Sequence, residues 1–172
     1  IKKKKKKKNS TKINEKQKLN FKYNKYINNY NSPAALSQSQ LDNDRNGVSD
    51  SFTKYEANKD SYSLAYDYEI KNNLKVTLSN SYYNNISESK TSTSIVNNNE
   101  KKIAFKPKLN YEYSKGTLTA GYDYTFNDIV RDTKLGNGAF YDISKVTNSL
   151  FVNNRYDINN LQLITGYRYE TA

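Results

Sequence analysis

From Ser61 to Glu170 the chain sorts its side chains by parity, with charged residues on one set of alternate positions and apolar residues on the other. In the first such run Tyr62, Leu64, Tyr66, Tyr68 and Ile70 alternate with Ser61, Ser63, Ala65, Asp67 and Glu69. Leu74, Val76, Leu78 and Tyr82 then oppose Lys75, Thr77, Ser79 and Ser81, and Ile103, Phe105, Leu109, Tyr111 and Tyr113 oppose Lys102, Lys106, Lys108, Asn110 and Glu112. The pattern returns around Tyr122, around Val152 and around Leu163. Successive side chains of a β-strand point to opposite faces, so a period of two kept up this long predicts strands with one dry and one wet face.

Composition limits what the dry face can touch. Hydrophobic residues make up 35% of the 172, mean hydropathy is −1.01, and no apolar run approaches the roughly 20 residues that a helical membrane span needs. A membrane barrel is compatible with such polarity, because only alternate strand residues meet lipid and the loops are hydrophilic. Cys 0 and His 0 remove disulfides, thiolate metal sites and the commonest general base. There is no Gly-rich phosphate loop and no nucleophile triad. Asp67 and Glu69 share a face, but without a cleft they are no glycosidase pair. Neither enzymatic activity nor a cofactor is expected.

The formal charge is +11, of which Lys2 to Lys8 supply seven, leaving +4 (11 − 7) for the rest. So pure a lysine run reads as a solvated low-complexity tail, with no nucleic-acid partner expected. Residues 1–15 are accordingly set apart from a partial barrel over 16–172. An initial Ile, Met 0 and no secretory-signal pattern read as a fragment or a processed piece.

Alternation around Leu19, Phe21 and Tyr23 predicts a first strand over about Lys16 to Ile27. Beyond it, tight turns at Lys71-Asn72-Asn73, Ser114-Lys115-Gly116 and Asn159-Asn160 take turns with long polar stretches at Asn28 to Asp60, Asn84 to Glu100 and Asn127 to Lys145. Strands of about ten residues with this alternation of short and long connections match transmembrane barrels, whereas soluble strands run nearer five or six. Tyr62, Tyr68, Tyr82, Tyr113, Tyr124, Tyr156 and Tyr169 lie near predicted strand ends, where amphipathic rings suit a membrane interface. Pro107 predicts a bulge or a locally unpaired position, and Asn80, Asn148 and Asn154 interrupt the apolar parity. About seven strands are visible, short of the even number of at least eight that closes a bacterial barrel. The fold class is therefore all-β, with antiparallel up-and-down strands forming an incomplete section of a transmembrane outer-membrane β-barrel. A general porin or adhesin barrel and a soluble surface β-sheet protein are the competing readings.

Several strings, taken in order, carry a resemblance. SPAALSQSQLD from Ser32 to Asp42, followed by Asp44-Arg45, is similar to the loop after an early strand in TonB-dependent outer-membrane receptors. The run Tyr62 to Tyr83 resembles the hairpin that follows there, and Leu118 to Tyr124 resembles that family's Leu-x-x-Gly-x-Asp/Glu-Tyr strand. Ser149 to Tyr156 and Leu161 to Glu170 resemble its hairpin ending in Gly-x-Arg-Tyr-Glu/Asp. The resemblance implies a parent protein in the cell outer membrane that imports an iron-siderophore complex, haem or a similar small metal chelate. It also implies three partners: outer-membrane lipid, a plug domain of the parent chain and a TonB-type energy-coupling protein. No plug, coupling box or terminal aromatic-ended closing strand has a counterpart in these residues.

One local motif stands apart. Asp42, Asp44, Asn46 and Asp50, with Gly47 between them, occupy the one, three, five and nine positions of an EF-hand-type calcium loop. Thr53 fills the bidentate position, and a solvated loop turn ranks ahead of calcium. The wet-face charges Asp67, Glu69, Lys106, Lys108, Glu112, Asp123, Arg155, Asp157 and Arg168 read first as lumen polarity and second as contacts to a plug or an aqueous path.

Overall fold

The computed structural model describes residues 2–33, 36–44, 52–135 and 140–172. Among them are eight strands: β1 (Lys2–Asn14), β2 (Gln17–Pro33), β3 (Phe52–Lys71), β4 (Leu74–Lys90), β5 (Ile95–Tyr113), β6 (Gly116–Leu135), β7 (Tyr141–Ile158) and β8 (Leu161–Thr171). They form one sheet in sequence order, and every neighbouring pair is antiparallel. A short helix, α1 (Gln38–Asn43), starts at a capping box in which Ser37 and Gln40 satisfy each other's backbone N–H groups.

All six strands expected from Ser61 onward are present, as is the expected β2, and the two-residue turns fall where Asn, Lys and Ser place them. Asn159 takes φ 50, a conformation that Asn tolerates better than most residues. Two expectations are corrected. The lysine run is no tail, since Lys2–Asn14 pairs with β2 from Lys2↔Asn28 to Asn14↔Gln17. The long stretches expected as loops are largely strand, and among the described residues 36–44, 91–94 and 140 are those that lie outside strands at that end. Pro107 behaves as its chemistry requires. The β5–β6 ladder runs Phe105↔Tyr124 and resumes at Lys108↔Gly121 in unchanged register, leaving Pro107 unpaired on the side where it has no N–H to give.

Register puts the apolar parity of every strand on one face. Its rows read Tyr23, Tyr62, Tyr82, Ile103, Phe126 and Val146, then Phe21, Leu64, Asn80, Phe105, Tyr124 and Asn148, then Leu19, Tyr66, Leu78 and Pro107. Tyrosine hydroxyls relieve two of the three asparagines that interrupt this face: Tyr122 donates to Asn148 Oδ1 at 2.5 Å and Tyr113 to Asn154 Oδ1 at 2.7 Å. The band stops abruptly. Above the tyrosine row the same face carries Lys25, Asp60, Asn84, Lys101, Asp128 and Ser144, with Lys25 Nζ 3.6 Å from Asp60 Oδ2.

The turns descend along the sheet. Lys16 O accepts from Glu69 N–H, Asn73 O from Glu112 N–H and Lys115 O from Asp157 N–H, so each turn meets the next hairpin two or three residues short of that hairpin's own turn. A step of about two residues per hairpin, at 3.4 Å per residue and 4.8 Å between strands, corresponds to a strand tilt of about 35°. Transmembrane barrels tilt their strands by about 35–45°.

A single sheet has nothing to pack its dry face against. Among the described residues only Ala57 and Ala104 are buried hydrophobics, while Leu78 is 39% and Leu150 59% exposed. The surface of 12374 Å² compares with about 8,700 Å² for a compact monomer of this mass. The sheet's two outer edges differ in kind. One is β1, exposed along its whole length with lysines at Lys2 to Lys8 and Lys12, and the other is β8, where Leu161, Ile164 and Tyr167 are each at least two-thirds exposed.

Candidate functional site

The opposite, polar face gathers every wet-face charge singled out from the sequence, because strand parity leaves no other place for them. Toward the short turns Asp67, Lys106, Asp123, Arg155, Asp157 and Arg168 enter ion pairs, while Glu69, Lys108 and Glu112 do not. Asp67 accepts from Thr77 Oγ1 at 2.8 Å and lies 3.6 Å from Lys75 Nζ. Asp123 lies 3.1 Å from Arg168 Nη1 and 3.9 Å from Lys106 Nζ, and Arg168 Nη2 also donates to Ser149 Oγ at 2.6 Å. The Arg168 guanidinium sits 5.9 Å from the centre of the Phe151 ring, which lies against Gly121. Arg155 pairs with Asp157 at 3.3 Å beside the last turn. With carboxylates and cations interspersed in this way, this half acts as a mixed polar lining.

Toward the long connections the same face is different. Its rows there read Asn24, Ser61, Tyr83, Lys102, Asn127 and Lys145, then Tyr26, Lys59, Asn85, Glu100, Ile129 and Ile143, then Asn28, Ala57, Ser87, Asn98, Arg131 and Tyr141. The Oδ1 atoms of Asn28, Asn85 and Asn127 and the Nε of Arg131 are buried without a hydrogen-bond partner. Lys59 falls in a stretch whose two faces are both largely polar, and beside Arg131 and Lys145 the apolar Ile129 and Ile143 share the polar parity, so alternation does not single these three out. Extending the parity of the neighbouring runs through those stretches would have placed them.

On the other face above the band, Lys54 Nζ lies 2.7 Å from Glu56 Oε1. That hydrogen bond, with the attraction of the opposite charges, holds the Glu56 carboxyl below the usual glutamate range and the Lys54 ammonium above its own.

Of the calcium candidates, Asp42 lies in α1, where it accepts from Gln38 Nε2 at 2.8 Å, and Asp44 is the helix C-cap. Asn46 and Asp50 lie outside the described residues. Among the described residues there is no cluster of three or more His, Cys, Asp or Glu side chains that could hold a metal ion.

A family model described as TonB dependent receptor-like, beta-barrel, matches residues 8–172. Among solved structures, the crystal structure of the ferric citrate transporter FecA in the unliganded form superposes with a TM-score of 0.72 at 15% identity. The superposition takes in 95% of this chain and 28% of that one, so the chain spans little more than a quarter of the transporter's length. No curated protein matches the sequence.

Proposed function

The chain belongs to the TonB-dependent receptor β-barrel family, and we propose that it forms part of the wall of an outer-membrane transporter that takes up a small metal chelate or haem. Barrels of this family are outer-membrane receptors, which displaces the porin, adhesin and soluble-sheet readings. The observation that carries the proposal is the apolar band, closed off on its own face by the row from Lys25 to Ser144. In water, so large an unpartnered apolar face would be an aggregation surface. Against hydrocarbon it is the lipid contact that holds the sheet in place, with the tyrosine row at the level of the interface and the polar face turned to the lumen.

In the proposal a plug from the parent chain fills the lumen, and a TonB-type protein delivers the energy to move it. Ligand recognition falls to the upper polar face and to the connections between β2 and β3, β4 and β5, and β6 and β7. Calcium at Asp42, Asp44, Asn46 and Asp50 would be a minor addition to that rim.

The test is uptake by cells carrying the complete receptor. Its removal should abolish energy-dependent accumulation of chelated iron or haem while leaving passive entry of small sugars unchanged. Loss of sugar entry with iron accumulation intact would identify a porin and refute the proposal. Recovery of the protein in the aqueous phase of a detergent partition would refute the membrane placement.

A further inference from the structure

We propose that the upper polar face is a cationic vestibule that selects anionic chelates, with Lys102 and Lys145 as its central pair. The inference deepens the transporter reading and rests on it.

Every ion pair of the polar face among the described residues lies toward the short turns, at Asp67, Asp123, Arg155 and Arg168. The three rows toward the long connections hold Lys59, Lys102, Arg131 and Lys145 on β3 to β7, with one carboxylate, Glu100. That carboxylate makes no ion pair with any of the four. β1 adds Lys2, Lys4 and Lys6 in the same rows. The half toward the short turns sets six carboxylates, Asp67, Glu69, Glu112, Asp123, Asp157 and Glu170, among its cations, whereas among the described residues the upper half has Glu100 alone, and that asymmetry focuses a positive potential where a ligand arrives from outside.

Lys102 and Lys145 are in register on either side of Asn127, two strands and roughly 10 Å apart. Between them the Asn127 Oδ1 has no partner, and two rows above, the buried Nε of Arg131 is a donor without an acceptor. A buried donor or acceptor left unmade is costly. A ligand bearing carboxylate oxygens and a hydroxyl would satisfy both kinds of group, since its carboxylates accept from lysine and arginine and its hydroxyl donates to asparagine. A neutral chelate of the same size would leave the lysines uncompensated.

The experiment measures binding to the complete receptor in detergent micelles with two probes, ferric citrate as an anionic chelate and a neutral ferric tris-hydroxamate. The wild-type receptor should prefer ferric citrate, with an affinity that falls as salt is raised. K102Q together with K145Q should weaken ferric citrate about tenfold, the scale of losing hydrogen bonds to charged groups, flatten the salt dependence and leave the neutral chelate within about twofold. K102R with K145R should restore the preference. Heat-dependent gel migration confirms that each variant is a folded barrel.

Equal affinity for both probes in the wild type would overturn the vestibule while leaving the transporter reading standing. Equal weakening of both probes in K102Q with K145Q, with a lowered melting midpoint, would place the lysines against another part of the receptor and overturn it as well. Binding of neither probe would overturn the vestibule and the chelate reading together.

Discussion

Replacing Leu78 by arginine tests the central claim about this sheet, that its apolar face is solvated by hydrocarbon. Leu78 sits midway along the apolar stretch of β4, between Tyr66 on β3 and Pro107 on β5, and is 39% exposed in the sheet by itself. Burying a whole leucine is worth about 1.5–3 kcal/mol, so lipid contact at this position accounts for roughly 0.6–1.2 kcal/mol of folding free energy. Arginine forfeits that contribution and adds the cost of bringing a guanidinium to mid-depth, for a total of about 2–4 kcal/mol on a barrel wall. That is roughly a 30- to 900-fold shift in the folding equilibrium. The control is Asn84→Arg, on the same face and the same strand but in the polar row above the tyrosines, where the cost should be about 0–1 kcal/mol. Both are read from denaturant titrations of the complete receptor in phospholipid vesicles. If L78R costs no more than N84R, the face meets water or protein and the membrane argument fails.

Tyr113→Phe removes the hydroxyl that satisfies Asn154 on the apolar face and should cost about 1–3 kcal/mol in the same titration, whereas Tyr113→Phe with Asn154→Val should recover most of it. Gly121→Val should destabilise the wall by about 1–3 kcal/mol, since an added Cβ would lie 2.5 Å from Phe151 Cζ and 2.9 Å from the Pro107 carbonyl oxygen; a companion Phe151→Ala should relieve part of the loss but not the backbone clash. Glu56 should titrate below the ordinary glutamate range by carboxyl carbon NMR and return toward it in Lys54→Gln. Because its folded pKa is lowered, any stability from this pair is present above the unfolded glutamate pKa and is lost as pH falls through the lowered value.

The strands were legible wherever one face is dry. Tyr62 to Ile70, Leu74 to Tyr82 and Leu118 to Phe126 alternate because hydrocarbon accepts one parity and water the other. Above Asp60 on β3 that contrast disappears: Lys54, Glu56 and Asn58 on one face and Lys59 on the other are all compatible with water. The strand continues nonetheless, since its ladder is set by the hydrogen-bonding needs of β2 and β4, a non-local cause that a window of sequence does not contain. The same loss of contrast conceals Lys59, Arg131 and Lys145, while Asp67, Asp123 and Arg168, beside dry partners, stand out. The lysine run reads as a tail in the sequence, and not as the strand it forms, for a different reason. Its pairing rests on the backbone of β2 alone, and its side chains carry no pattern.

The unlike edges of the sheet have a consequence for how copies of the chain can associate. Joining head to tail into an open fibre takes two receptive edges per copy. A row of ammonium groups repels an approaching strand, and edge lysines serve natural sheets in this way. Lys2 to Lys8 guard the greater part of β1, which leaves β8 as the more receptive edge, and a contact of β8 with β8 uses up that edge in both partners at once. Association outside a membrane would therefore terminate at the doublet, and a sedimentation profile extending to long polymers would show that the lysines leave their edge open.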